Sequence, residues 1–394
     1  MNGLSLFADR VVRAVTLYLI LTAGLIIGLP CLVIFYHTGT WNEKSPETIL
    51  PETIQLSLNQ TTVLNSGEND EKGELSVIHF GRNPLTFGWL SGSPDQTGTY
   101  NKLQVVSPLC AELSSTHAIK PVIQSESVAG WHQRGIKVWG RVALSSQTPY
   151  GARAYLANPV LVRQDITALS RLVQKDSLDG LNIDIENVGS SDLQAYLTYI
   201  RQLVAEVKKV RPQTIMSVDI QSESDWSPNQ RRMMNQAFAA SCDYIIFMGY
   251  DQHWSTDPTP GPVASLDWLK ENVQQLQQDS LPSGKLLLGL PSYTRIWQTG
   301  SQGQTVSSRA VSNEYINNIL AEEKIPQHWQ AETGAYYSTF TYRGNPYKVW
   351  SQDTKAVQSL LMLVRDYHLA GFGYWSLNLM SPQQWNTLAS TWRQ

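Results

Sequence analysis

Asp179-Gly180-Leu181-Asn182-Ile183-Asp184-Ile185-Glu186 is the stretch that decides how the whole chain reads. Side chains alternate along a strand, so Leu181, Ile183 and Ile185 share one face while Asn182, Asp184 and Glu186 share the other. The aliphatic face suits packing beneath helices. Two acids on the opposite face do not suit a dry core, because desolvation and mutual repulsion both oppose double ionisation. One proton is therefore retained, which leaves a neutral acid beside a carboxylate, the pairing that general acid catalysis requires near neutral pH. Glu186, at the strand tip, is the expected donor. The duller reading is an inward ion-pair cluster with Arg or Lys brought from elsewhere, since this strand itself supplies no compensating cation.

Working outward, similar apolar or alternating runs recur at Leu85 to Leu90, Leu103 to Leu109, Ile136 to Val142, Thr214 to Ile220, Asp243 to Gly249, Lys285 to Leu290 and Gly371 to Leu377. With Leu178 to Ile185 they make eight candidate strands. Amphipathic stretches separate most of them. The clearest runs from Ser191 to Val210, where Leu193, Tyr196, Leu197, Ile200, Leu203, Val204 and Val207 recur at three- and four-residue intervals, with Asp192 near the start and Pro212 just past the end. Strands alternating with helices predict a parallel sheet with right-handed crossovers, and eight such units predict a (β/α)8 TIM barrel, whose active sites lie at the C-terminal mouth. The interval from Ser292 to Ala370 is too long for one crossover. It predicts a small α+β insertion over 292–353 between strands 7 and 8, with Ala335 to Phe340 and Tyr347 to Trp350 as a hairpin and Thr354 to Tyr367 as the resumed barrel helix.

The N-terminal end has another character. From Ala14 to Tyr36 no residue is charged, and as a helix this run extends about 34 Å, enough to cross a hydrocarbon core of about 30 Å. A cleaved leader is the rival reading, but its apolar part is shorter and ends in small residues, whereas this one closes in Ile34-Phe35-Tyr36-His37. Arg10 and Arg13 flank the near end, so the positive-inside rule places 1–13 in the cytoplasm, 14–36 as a single-pass transmembrane anchor, and all that follows outside the membrane. Residues 37–75 are polar and turn-rich, a linker in which Ile54 to Leu58 alternates as one short strand would. The folded domain is expected over 76–394.

Composition narrows the function classes. The 394 residues include 13 Trp, 17 Tyr and 8 Phe, enough apolar surface to exclude disorder as the overall state, and a net charge of −3 argues against a nucleic-acid partner. Cys31, Cys110 and Cys242 are too few and scattered for a disulfide scaffold or a zinc site, and no residue cluster implies a metal or organic cofactor. Cys110 and Cys242 read as free thiols. Asn59-Gln60-Thr61 fits an N-glycosylation acceptor, a pattern common by chance.

Residues 179–186 resemble the strand-four signature of the family 18 glycoside hydrolases, chitinases and related N-acetylglucosaminidases, at every position. Phe247-Met248-Gly249-Tyr250-Asp251 is similar to the family's strand-six Met-x-Tyr-Asp, and Gly371-Phe372-Gly373-Tyr374-Trp375 to its strand eight. The likeness spans about 76–394 and is nearest the spore-germination and cortex-lytic branch, although peptidoglycan-binding LysM repeats are absent. It implies an amino-sugar polysaccharide substrate and substrate-assisted hydrolysis, in which the sugar's own acetamido oxygen displaces the leaving group. The resemblance assigns Glu186 as acid and then base, Asp184 as the group that orients the acetamido N–H, and Tyr250 as the donor to the acetamido oxygen. It assigns Asp251 to sugar binding and Trp375 to the apolar floor under the reacting ring. Asn182 and Tyr293 are further substrate-binding candidates, as are Arg295 and Trp297.

Each assignment has a plainer rival. Tyr250 and Asp251 follow a buried strand and would serve equally as a helix cap, and Trp375 as ordinary core. Asn182 stands where many chitinases have Asp, and Gly249 where Thr, Ser or Ala is commoner. A non-catalytic, lectin-like barrel that binds amino sugars is the alternative function. Such barrels commonly lose the acid at the strand-four tip, and Glu186 is present.

Overall fold

The computed structural model describes residues 61–63, 77–91, 100–222 and 226–393. Residues 1–13, the expected anchor over 14–36, Ile54 to Leu58, Asn59 and Cys31 lie outside them. Among the described residues no helix is long and apolar enough to cross a membrane.

Eight parallel strands close on themselves: β1 (Leu85–Leu90), β2 (Val105–Leu113), β3 (Lys137–Leu144), β4 (Gly180–Asp184), β5 (Ile215–Ile220), β6 (Tyr244–Met248), β7 (Leu286–Pro291) and β8 (Gly371–Trp375). Each pairs with its sequence neighbours, and β8 pairs back to β1 through Gly371↔Leu85, so the sheet has no free edge. The expected strands are all present, shifted by a few residues at their ends. Around them run α1 (Ser125–Gln133), α2 (Pro149–Leu156), α3 (Pro159–Lys175), α4 (Leu193–Val210), α5 (Pro228–Ser241), α6 (Leu266–Gln278), α7 (Asn313–Glu322), α8 (Thr354–Asp366) and α9 (Pro382–Ser390).

Local chemistry sets these helices. Ser227 caps α5 through a reciprocal pair with Gln230, and Pro228 occupies the first turn, where a missing N–H costs nothing. α4 buries Leu193, Tyr196, Leu197, Tyr199, Ile200, Leu203 and Val207, the stripe its periodicity predicts with Tyr199 added and Val204 only half-buried. Against these stripes lie the outward aliphatics of the strands, including Leu181, Ile183, Val218 and Leu288. Inside the barrel a second cluster fills the lower lumen with Phe87, Trp89, Val105, Trp139, Ile246 and Leu287, and Trp139 stacks on Tyr244 at 5.5 Å. The lumen is plugged from below, so polar chemistry is confined to its upper tiers.

Gly249, just past β6, is required by close approach: a Cβ there would stand 2.7 Å from the Gly289 carbonyl oxygen and 2.6 Å from Leu269 Cδ2. That accounts for glycine where larger residues are commoner. Cys110 and Cys242 are buried free thiols, and burial pushes both up to about 12.

Between β7 and β8 the chain builds the second sheet. Strands Tyr293–Thr299, Thr305–Ser312, His328–Gln330, Ala335–Tyr342 and Asn345–Ser351 pair antiparallel, and α7 covers one side through Ile316 and Leu320 against Val311, Phe340 and Val349. The expected hairpin is there, with Tyr337 opposite Trp350. Thr61–Val63, inside the stretch expected to be a tether, adds a strand to this sheet against Phe340–Tyr342. At the foot of the barrel a short parallel clasp joins Ile78–His79 to Trp392–Arg393. Trp392 is buried there against Phe372 at 5.2 Å.

Candidate active site

The polar face of β4 points into the upper lumen in three steps. The lowest is Asn182, fully buried, whose Oδ1 accepts from Trp89 Nε1 and Ser107 Oγ, both at 3.0 Å. Its Nδ2 donates to Ser217 Oγ at 3.2 Å and to Asp219 Oδ1 at 2.7 Å. All four hydrogen-bonding positions of the amide are thereby spent on protein. The expectation that Asn182 touches substrate is corrected: it ties β4 to β1, β2 and β5 one pleat below the reacting groups.

Asp184 is the middle step. Its Oδ2 accepts from Arg141 Nη1 at 2.6 Å, and its buried Oδ1 accepts from no N–H or hydroxyl. Arg141, on β3, also lies over the Trp375 ring, 5.0 Å from its centroid. The cation that β4 does not carry is therefore supplied by its neighbour. Sequence reasoning missed it, although a lone arginine within the apolar run of β3 was the signal.

Glu186 stands at the rim, half-buried. Its backbone N–H donates to Gln147 Oε1 at 3.1 Å, and its Oε2 accepts from Gln221 Nε2 at 2.9 Å. Gln147 also donates to the Asp184 carbonyl at 2.8 Å, and Asn187, at a φ of 55°, bonds both glutamines, so the turn at the strand tip is held from two sides. Burial, then the adjacent Asp184 charge, pushes Glu186 up to about 8, against the pull of Arg141. The acid is thus protonated at neutral pH. A cavity of about 170 Å³ opens beside it, lined by Asn187, Asp219, Gln221 and Trp226 among others.

Three aromatic rings form the floor. Trp89 meets Tyr250 at 6.0 Å and Trp375 at 5.8 Å, both edge to face, while Tyr250 and Trp375 lie nearly parallel at 6.3 Å. Tyr250 and Trp375 keep part of their surface open. Burial and the nearby carboxylates Asp219, Asp184 and Glu186 hold the Tyr250 phenol well above its ordinary range, so it remains a hydrogen-bond donor. Asp251, at a φ of 55°, turns outward and accepts from Tyr293 Oη at 2.6 Å and Arg295 Nη2 at 3.2 Å. Tyr293 is only 2% exposed. It props Asp251 from behind, which corrects its expected place on the substrate surface. Trp297 is likewise buried, its indole donating to the Gly261 carbonyl at 2.9 Å.

Asp219, on β5, was not anticipated. It is 5% exposed, its Oδ2 has no hydrogen-bond partner, and burial followed by the Asp184 charge raises it well above the ordinary carboxylate range. A strand-tip acid held protonated, a carboxylate paired to one cation and a neutral phenol above an aromatic floor lie together at the mouth of the barrel, an arrangement with the chemistry that general acid catalysis requires.

The sequence profile of glycosyl hydrolases family 18 matches residues 153–379. The chain belongs to this family. Its match ends span Asp184, Glu186, Tyr250 and Trp375, and membership makes the protein a glycosidase. Among family 18 relatives, an uncharacterised glycosylase of Bacillus subtilis, YvbX, is 25% identical over 267 residues, covering 65% of this chain and 75% of that protein. The cortical fragment-lytic enzyme of Bacillus cereus is 23% identical over 239 residues, 59% of this chain and 54% of that one, so the chain spans about half of that relative's length. Solved structures share the fold. A chitinase from Chromobacterium violaceum superposes with a TM-score of 0.67 at 18% identity, over 78% of this chain and 99% of its own. The spore cortex-lytic enzyme SleL of Bacillus megaterium gives 0.67 at 17% identity, over 79% and 75%.

Proposed function

We propose that this protein hydrolyses β-linked N-acetylglucosamine bonds in a cell-wall or chitin-like polysaccharide, with retention of configuration and with the substrate's acetamido group as the nucleophile. The observation that carries this reading is the arrangement of carboxylates. Enzymes with two catalytic carboxylates place them about 5–9.5 Å apart across the scissile bond. Here Asp184 and Glu186 are adjacent on one strand face, Asp251 is tied to Tyr293 and Arg295, and Asp219 is buried beneath them. Among the described residues of the cleft no carboxylate is left to attack the anomeric carbon from the opposite side, so the substrate provides the nucleophile.

The steps follow from the hydrogen bonds. Glu186 gives its proton to the glycosidic oxygen as the bond from that oxygen to the anomeric carbon breaks. The acetamido oxygen forms a new bond to the same carbon, closing an oxazolinium ring. Asp184 Oδ1, without a protein donor, accepts the acetamido N–H and offsets the positive charge of that ring. Tyr250 donates to the acetamido oxygen and holds it in line. Glu186, now a carboxylate, takes a proton from water as the water oxygen attacks the anomeric carbon, reopening the ring and regenerating the acid. Two inversions give retention.

Relatives that act on spore cortex favour peptidoglycan as the polymer. The uncharged run from Ala14 to Tyr36 with Arg10 and Arg13 before it supports a membrane-anchored protein whose barrel lies outside the cytoplasm. The test is release of new reducing ends from N-acetylglucosamine oligomers and from peptidoglycan. Turnover falls above about pH 8, where Glu186 loses its proton. Glu186→Gln abolishes turnover while sugar binding persists. Undiminished hydrolysis by that variant removes the mechanism, and sugar binding without hydrolysis by the unaltered protein makes the barrel a lectin.

A further inference from the structure

We propose that Arg141 is a positioning residue for this reaction: from β3 it holds Asp184 as the ionised member of the carboxylate cluster, and so leaves the mobile proton on Glu186. The inference rests on the glycosidase reading and goes beyond it, since neither family motif on β4 or β6 contains this residue.

Four carboxyl groups meet in a small space. Asp184 and Glu186 come from β4, Asp219 from β5, and Asp251 from the turn after β6. Facing them are the phenols of Tyr250, Tyr293 and Tyr196, the last from behind on α4, and two cations, Arg141 and Arg295. Arg295 is engaged with Asp251 at the outer edge. Among the described residues only Arg141 is placed against the inner acids, and its contact with Asp184 is 2.6 Å with both side chains almost fully buried. A charge-assisted bond of this length in a dry site is strong and strongly orienting.

Geometry also explains why the proton goes to one acid and not the other. Asp184 Oδ2 faces the guanidinium, and Oδ1 has no protein donor. The ion pair fixes the carboxylate plane and keeps Oδ1 available to the acetamido N–H. Glu186 has an amide donor, Gln221, where Asp184 has a cation, so of the two neighbours Asp184 is the better anion. Arg141 is itself held in place by the Trp375 ring. One residue therefore links the charge of the site to the floor on which the sugar rests.

The experiment compares Arg141→Met and Arg141→Lys with the unaltered protein. It measures kcat/KM on N-acetylglucosamine oligomers across pH, together with the infrared carboxyl band that Glu186→Gln removes. In Arg141→Met both limbs of the pH profile move to higher pH, the acid limb by about 1–3 units. The Glu186 band also persists to higher pH than in the unaltered protein. Arg141→Lys, which keeps the charge, returns both limbs toward their original positions at reduced kcat. A fall in kcat with both limbs and the band unmoved overturns the proposal and makes Arg141 a packing residue. An infrared shift in a protein that cleaves no sugar leaves the charge assignment standing and overturns the glycosidase reading instead. Should Arg141→Met fail to fold, unequal limbs in the folded Arg141→Lys variant and the unaltered protein refute the dependence on charge.

Discussion

Asp219 offers a quantitative check on how the lumen holds its protons. Asp219→Asn is nearly isosteric and keeps the Oδ1 that accepts from Asn182 at 2.7 Å, while Oδ2, which has no partner, becomes an amide nitrogen. In the native protein burial and Asp184 raise this acid well above its usual range. A raised folded-state value means that the folded protein binds one more proton than the unfolded chain at every pH between the two titrations. Its stability is then fully present below about pH 3.9, the unfolded value, and is lost at about 1.4 kcal/mol per pH unit as pH rises toward the folded value. Asparagine has no proton to lose. Relative to the native protein, Asp219→Asn therefore gains stability as pH rises between those two values, at up to about 1.4 kcal/mol per pH unit. Thermal and urea unfolding of both proteins at pH 5, 6 and 7 measure the difference directly. A stability gap that stays constant across that range means Asp219 is ionised in the folded state, and the account of a proton-retaining lumen fails.

Other outcomes follow from single contacts. Tyr250→Phe keeps the aromatic floor but removes the donor to the acetamido oxygen, and kcat falls about 100- to 1,000-fold with KM little changed; an unchanged kcat shows that Tyr250 merely packs. Gly249→Ala pushes a methyl group to 2.7 Å from the Gly289 carbonyl oxygen, and stability measured by urea unfolding falls by about 1–3 kcal/mol. A neutral result there means the chain shifts without cost.

Much of the fold was legible because barrel strands buried on both sides read as apolar runs and their helices as stripes, as in β6 and α4. The place of Glu186 at the strand tip, on the same face as Asp184, was legible because alternation along one strand requires nothing from any other. Depth was not legible. Asn182 and Tyr293 carry the right chemistry on the right face, yet one lies a pleat too low and the other behind Asp251, since periodicity gives a side chain's direction but not its distance from solvent. Partners on other strands were also hidden, because register between strands depends on barrel closure. Arg141, Asp219, Gln147 and Gln221 all reach the site this way. A lone charge inside an apolar strand, as at Arg141 in β3 and Asp219 in β5, is the trace they leave in the sequence.

The clasp of Ile78–His79 with Trp392–Arg393 ties the segment before β1 to the segment after α9 at the end opposite the mouth. Backbone hydrogen bonds there link the chain entering the barrel to the chain leaving it, so the loss of either short strand exposes the edge of the other and the buried Trp392 ring. A handle joined after Arg393 leaves from the foot, on the side of the barrel away from Glu186.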